Sequence, residues 1–312
     1  DKPVFYFPKF FHPDPTVKRQ SGFLMPSISN SNTNGGSFKI PYYKVLSENK
    51  DFTVSPHIFF NNDIMIQNEF RQVEENYKSI YDFSLKKMGK STKSHFFTNT
   101  KIDLNTAGFD LSDLEFNLER TSNDTYLKSD NIKMEESFNA SVLNSYVNYN
   151  FSKEDLDVSL NFEVYENLAS TKKSDKYEYI YPNFSISKLL NTSLDSYGST
   201  TYEASGFQKK YNTNVLEKIF VNNFNFSSKP FFTKFGFKNN FKILFKNTNK
   251  NSKNSSTYKD NFSSDNYTSL ILDSTYPLRK TTKNFDSQLI PKISLRASPR
   301  RSENLRNEDR RI

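Results

Sequence analysis

Apolar and polar residues alternate along most of this chain, and a period of two puts successive side chains on opposite faces of a strand. The clearest run is Leu156, Val158, Leu160, Phe162 and Val164, with Asp157, Ser159, Asn161 and Glu163 between them. Similar runs are Tyr77 to Leu85, Leu114-Phe116-Leu118, Val147-Tyr149-Phe151, Phe241-Ile243-Phe245 and Leu289 to Leu295. Between them lie clusters of Asn, Asp and Ser: Asn61-Asn62-Asp63, Ser122-Asn123-Asp124, Asn247 to Ser256 and Ser263 to Asn266. Such residues favour turns, because their side chains bond the local backbone and Asn and Asp tolerate left-handed conformations. Helical spacing is confined to two short stretches, Glu74 to Lys78 and Ser187 to Asn191. The pattern predicts an all-β, antiparallel protein.

Two architectures share this pattern. A soluble sandwich buries the apolar face of each strand, whereas a transmembrane barrel turns that face to lipid and its polar face to the lumen. The runs extend over about 9 to 12 residues, the length a tilted membrane strand needs. Their apolar positions are rich in aromatics, as the girdles of membrane barrels are. Turn spacing also varies, from the short Asn61–Asp63 to a long stretch beginning at Asn247. These features favour a barrel, although A+T-rich coding would also enrich Phe, Tyr, Asn and Lys. The sandwich stays open on pattern alone.

Composition narrows the function classes. The 312 residues include 43 Lys+Arg and 35 Asp+Glu, for a net charge of +8, with 31 Phe and 18 Tyr. Disordered chains are poor in aromatics, so this one is expected to fold. No apolar run approaches the ~20 residues of a membrane-spanning helix. With no Cys, the chain offers no disulfide, thiolate nucleophile or Cys-bound metal. His12, His57 and His95 are too scattered for a metal site. No G-x-S-x-G, P-loop or H-E-x-x-H motif is found, so neither an enzyme nor a cofactor is expected. Seven of the ten arginines follow residue 278, accompanied by a single aromatic, Phe285. That differs from the basic, aromatic-laced surfaces that bind nucleic acid, and it reads as a solvated loop or a lumen-facing stripe.

Two prolines stand out. Pro26 and Pro41 each fall inside an apparent strand, Phe23 to Ser29 and Ser37 to Val45. Proline cannot donate to a ladder and is confined to edges, strand starts or bulges. Two in successive first strands predict a weakly paired seam, which in a closed barrel would be a lateral gate; the plainer alternative is that each proline marks a strand end.

The region from Pro3 to His57 carries a resemblance. Its residues are Phe5-Tyr6-x-Pro8, His12-Pro13-Asp14, Lys18-Arg19-x-Ser21-Gly22-Phe23-Leu24-x-Pro26, Ile40-Pro41-Tyr42-Tyr43, Asn49-x-Asp51-x-Thr53 and Pro56-His57. Gln67-Asn68-Glu69-Phe70-Arg71 continues it, and Ser122 to Leu127, Tyr276 to Arg279, Leu289-Ile290-Pro291 and Asn307-Glu308-Asp309 echo it. This set resembles the start of the barrel domain in the LptD (OstA/Imp) family of outer-membrane lipopolysaccharide (LPS) assembly proteins. The resemblance implies an internal stretch of a longer chain. Residues 1–18 would end a jelly-roll domain and linker, and residues 19–312 would form the N-terminal half of a transmembrane barrel. Family barrels have about 26 strands, of which this length would hold about 12 to 14.

The resemblance also implies LPS translocation and insertion into the outer leaflet, with Pro26 and Pro41 matching the family prolines that loosen the lateral gate. Phe5, Tyr6, Phe7, Phe10 and Phe11 would line the lipid path, on a linker that Pro3, Pro8, Pro13 and Pro15 hold extended. Lys18 and Arg19 are candidates to meet lipid phosphate, since Arg offers paired donors. An LptE-like lipoprotein plug and an LptA-like periplasmic bridge are the implied partners. The chain departs from family members that use disulfides by having no Cys, and has Lys44 where an aromatic is usual. Another outer-membrane barrel, a porin or receptor, is the competing function.

Overall fold

In the computed structural model, described for residues 19–31, 34–132, 141–212, 214–283 and 285–299, strands dominate as the alternation predicts. They are β1 (Gly22–Phe23), β2 (Ser27–Ser31), β3 (Gly35–Lys39), β4 (Tyr42–Ser47), β5 (Lys50–Phe59), β6 (Ile64–Val73), β7 (Tyr77–Met88), β8 (Ser91–Asp103) and β9 (Leu111–Thr121). After one turn of helix, α1 (Tyr126–Ser129), come β10 (Val142–Lys153), β11 (Leu156–Asn167), β12 (Tyr177–Leu190), β13 (Gly198–Tyr211) and β14 (Val215–Ser228). The last are β15 (Phe231–Phe232), β16 (Lys238–Lys253), β17 (Asn261–Thr275), β18 (Leu278–Thr281), β19 (Asp286–Leu289) and β20 (Lys292–Ala297). No helix among the described residues is long and apolar enough to cross a membrane.

The chain divides into two compact units, residues 1–97 with 121–134, and residues 98–120 with 135–312. In the first, β4 to β7 form an antiparallel meander joined by tight turns, with Asp51 opposite Arg71, Ser55 opposite Gln67, and Met65 opposite Lys86. Asn62 takes the left-handed conformation expected of the Asn61–Asp63 turn. The α1 segment belongs to this unit, and Tyr126, Leu127 and Ile132 are buried there with Phe59, Met65 and Phe97.

The second unit is a longer meander. β10 and β11 pair residue for residue from Val142–Asn167 to Lys153–Leu156, so the two predicted runs lie side by side. Phe116, Val147 and Phe162 form one row across β9, β10 and β11, and Leu114, Tyr149 and Leu160 the next. Cross-strand pairs of this kind are the units of sheet stabilisation. Farther along, Phe224 stands opposite Phe245, Phe226 opposite Ile243, and Ile243 opposite Leu270. Pro182 is accommodated where the β12 register slips against both neighbours, as expected of a proline inside a sheet. β18 and β19 form a separate hairpin, clasped by the Arg279–Asp286 pair.

Several expectations are corrected. Ser187–Asn191 is not helical, since Ser187 to Leu190 end β12; nor is Glu74–Lys78, where Glu74 to Asn76 turn and Tyr77 and Lys78 begin β7. The single α-helix among the described residues, α1, was not predicted and follows directly on the Ser122–Asp124 turn. The Asn- and Ser-rich stretches from 247 and 263 are largely strand, with Asn247 paired to Asn266 and Asn249 to Ser264. Their side chains bond across the ladder, Asn247 Nδ2 to Asn266 Oδ1 at 2.8 Å and Ser264 Oγ to Asn249 Oδ1 at 2.8 Å. Residues read as turn formers for their local bonding are instead spent on cross-strand bonding.

Candidate functional site

At the N-terminal edge of the first unit, each of the first two predicted strands is split at its proline. β1 and β2 are separated by Leu24, Met25 and Pro26, and β3 and β4 by Ile40 and Pro41. Phe23 pairs with Tyr42 and Ser27 with Lys39, so three residues oppose two and the register slips by one. This is the extra-residue geometry of a bulge. Within the gap the Leu24 N–H donates to the Pro41 carbonyl at 2.9 Å. Closely paired positions in an antiparallel ladder exchange two hydrogen bonds, but Pro41 has no N–H to return the second.

The weakness continues into a third strand, which the alternation pattern does not single out. Ile40 N–H donates to the Pro56 carbonyl at 3.2 Å, and Pro56 likewise has no donor to return. Pro26, Pro41 and Pro56 thus make a line of missing donors across the first three strands. The hairpin beyond that line, β2 with β3, is joined to β5 through Ser37–Phe59, Phe38–Ile58 and Lys39–His57, and through Phe60 N–H to Gly36 carbonyl at 3.0 Å. Gly36 must be small, because a Cβ there would stand 2.5 Å from the Phe60 ring.

The two faces of the sheet are reversed relative to a soluble sandwich. On β7, Leu85 is 56% exposed, while its neighbours Ser84 and Lys86 are 3% and 0% exposed. Ile58, Ile64, Ile66 and Phe96 are likewise exposed, while Asp51, Ser55, Asp82 and His95 are buried. In the second unit an apolar cleft of about 680 Å³, lined by Tyr197, Phe224, Phe226, Phe231, Phe241 and Phe245, opens beside the exposed aromatic rows.

The α1 segment covers the polar face of the first unit. Tyr126 Oη lies 2.7 Å from Ser84 Oγ, which lies 2.6 Å from His95 Nδ1, while His95 Nε2 lies 3.1 Å from Asp82 Oδ1. The Ser84 hydroxyl thus bridges Tyr126 Oη and His95 Nδ1, and the Tyr126 hydroxyl also reaches Met65 Sδ at 3.3 Å. Burial pushes the Tyr126 phenol up to about 12, so it keeps its proton at neutral pH. Ser, His and Asp in sequence invite comparison with a nucleophile relay. Here the Ser84 hydroxyl is buried between Tyr126 and His95, where the cluster ties α1 to the sheet.

Beside it, the Lys86 ammonium donates to Asp130 Oδ1 at 2.5 Å, with both side chains 0% exposed. Lys86 also lies 4.1 Å over the Phe59 ring and donates to Asn34 Oδ1 at 3.1 Å. Asn34, in the β2–β3 connection, donates in turn to Asp130 Oδ1 at 3.0 Å and to the Ser129 carbonyl at 2.7 Å. A buried pair satisfied in this way resists separation, since removing one partner strands a charge.

Of the residues nominated from sequence, Pro26 and Pro41 come together at the seam. Arg19 donates through Nη1 to Asp51 Oδ2 at 2.9 Å, and the same carboxylate takes Arg71 Nε at 2.9 Å and the Tyr43 hydroxyl at 3.2 Å. One edge of the Arg19 fork is therefore committed, while the side chain remains 58% exposed. Phe5, Tyr6, Phe7, Phe10, Phe11 and Lys18 lie outside the described residues. The Asn34–Lys86–Asp130 cluster was not foreseen, and none of its three residues belongs to a motif singled out in the sequence.

No protein-family model matches the chain. A bacterial polysaccharide outer membrane secretin superposes with a TM-score of 0.32 at 9% identity, over 85% of this chain and 92% of that one, too weak a likeness to carry an argument. The sequence relatives are closer. An LPS-assembly protein LptD of Psychrobacter cryohalolentis is 46% identical over 77 residues, 25% of this chain and 8% of the relative. Those of Ectopseudomonas mendocina and Legionella pneumophila are 41% identical over 76 and 69 residues, 24% and 22% of this chain and 8% of each relative. The chain thus matches only a small part of the length of these curated relatives. Through that stretch, the chain is related to the LPS-assembly protein LptD.

Proposed function

We propose that this chain forms part of an outer-membrane β-barrel that delivers LPS into the outer leaflet through the proline-broken seam. The observation that carries this reading is the pairing of that seam with reversed faces. A sheet with buried carboxylates, Lys and Ser on one side and exposed Phe, Ile and Leu on the other is stable where lipid meets the apolar face. LPS needs both surfaces at once, an apolar route for its acyl chains and a hydrated one for its sugars and phosphates. A seam that lacks donors at Pro26 and Pro41 separates at lower cost than a full ladder. A passive pore or receptor gains nothing from it.

In this reading Phe5, Tyr6, Phe7, Phe10 and Phe11 guide acyl chains toward the seam. Lys18 and the exposed edge of Arg19 meet lipid phosphate near the start of β1. An LptE-like lipoprotein occupies the lumen and an LptA-like bridge supplies LPS from the periplasm, so the chain itself performs transport without catalysis, cofactor or nucleic acid. Residues 1–18 are the end of a jelly-roll and linker, and residues 19–312 belong to the barrel. Depleting the protein from the cell that makes it should reduce LPS at the cell surface and admit large hydrophobic antibiotics. Normal surface LPS under full depletion would contradict the proposal.

A further inference from the structure

We infer that the β2–β3 hairpin is a hinged flap whose free end is pinned by Asn34 to the buried Lys86–Asp130 pair, so that the α1 segment controls release of the seam. The inference rests on the proposed gate for its purpose, but its geometry stands separately.

A hinge and a pin are both present. The hinge is the three-proline line: on either side of Ile40 and Pro41, Leu24–Pro41 and Ile40–Pro56 each hold a single backbone bond. Beyond it, the hairpin meets β5 over three register pairs and the Phe60 N–H to Gly36 carbonyl bond at 3.0 Å. β2 itself is exposed along its length, and its described pairing is to β3. Besides the pin, the flap is held to the rest of the unit by this short stretch of pairing at β5.

The pin lies at the opposite end of the hairpin from the hinge. Asn34 uses its whole amide there: Nδ2 donates to Asp130 Oδ1 at 3.0 Å and the Ser129 carbonyl at 2.7 Å, and Oδ1 accepts from Lys86 at 3.1 Å. Hydrogen bonds to charged groups are among the stronger ones. Ser129 and Asp130 close the short α1 segment, which is seated on the polar face by Tyr126 and Leu127, both fully buried. The Asn34 amide is thus shared between a fixed strand, through Lys86, and a covering loop, through Ser129 and Asp130. Lifting that loop withdraws two of the three partners of Asn34 at once, leaving the hairpin held by its short pairing to β5. Loop movement and seam opening thereby become one event, and substrate reaching the polar face would be the trigger.

The test is hydrogen–deuterium exchange on the full-length protein in detergent, comparing wild type with Asn34→Ala. Asn34 lies in a connection, so the substitution leaves the strand pairing of the sheet intact. Amides of Ser27–Lys39 should exchange about tenfold faster, the equivalent of one hydrogen bond to a charged group, while those of β6 and β7 stay within about twofold. Unchanged exchange in Ser27–Lys39 would overturn the inference. So would an equal rise across β5 to β7, since Asn34 would then hold the whole unit and not a flap. The exchange reads the pin without reference to LPS, so faster exchange with normal surface LPS in a Pro26→Ala, Pro41→Ala protein would keep the flap and discard the gate.

Discussion

Replacing Pro26 and Pro41 together by Ala in the full-length protein should lower LPS at the cell surface and raise sensitivity to large antibiotics, without reducing the amount of folded protein. Pro41→Ala would supply the N–H that the Leu24 carbonyl lacks across the gap, and Pro26→Ala would relax the fixed φ that helps hold three residues against two. An intramolecular hydrogen bond contributes about 0.5–1.5 kcal/mol net. The one restored hydrogen bond closes the seam by about 1 kcal/mol, so its open population should fall roughly fivefold. Adding Pro56→Ala, which returns a donor opposite Ile40, should deepen the defect. Surface antibody labelling reads the result, and unchanged labelling in the double variant would remove the prolines from the transport step.

Lys86→Ala should be the most destabilising single change in the first unit. It leaves Asp130 buried beside Asn34 with its cation gone, and uncovers the Phe59 ring that the ammonium overlies. Breaking a buried pair by deleting one partner costs about 3–5 kcal/mol, and the thermal unfolding temperature of the detergent-solubilised protein should drop accordingly. Lys86→Met with Asp130→Leu removes both charges at similar volume and should recover most of the loss, because the penalty lies in the orphaned carboxylate. A single variant within about 1 kcal/mol of wild type would mean that water reaches the pair. Asn34→Ala removes no charge and should leave this unfolding temperature little changed.

Strand content was legible because period-two runs such as Leu156 to Val164 state their faces directly. Which face is buried was not: the same alternation serves a sandwich or a barrel, and the two are distinguished by exposures such as that of Leu85 beside buried Ser84 and Lys86. The Asn-rich segment from 247 was misread because Asn bonds its own backbone in turns and its neighbours in ladders with equal ease. Pro26 and Pro41 were legible as interruptions, since each breaks a visible run. Pro56 was legible only as part of the Pro56-His57 motif and not as an interruption, because its missing donor matters only opposite Ile40. The pin was hidden by distance along the chain: Asn34, Lys86 and Asp130 are brought together only when α1 is seated on the polar face.

The central claim, that LPS leaves through the seam, is tested most directly at Met25, which lies in the gap beside Pro26 and is 88% exposed. A photo-reactive residue at this position in the full-length protein, illuminated during a pulse of labelled LPS synthesis, should capture newly made LPS, and the adduct should fade during the chase. The same residue in place of Leu85, on the apolar face away from the gap, should give no adduct that follows the pulse. Transient capture at Met25 alone is the predicted result; no adduct there, or one that neither rises with the pulse nor decays with the chase, would contradict passage through the seam.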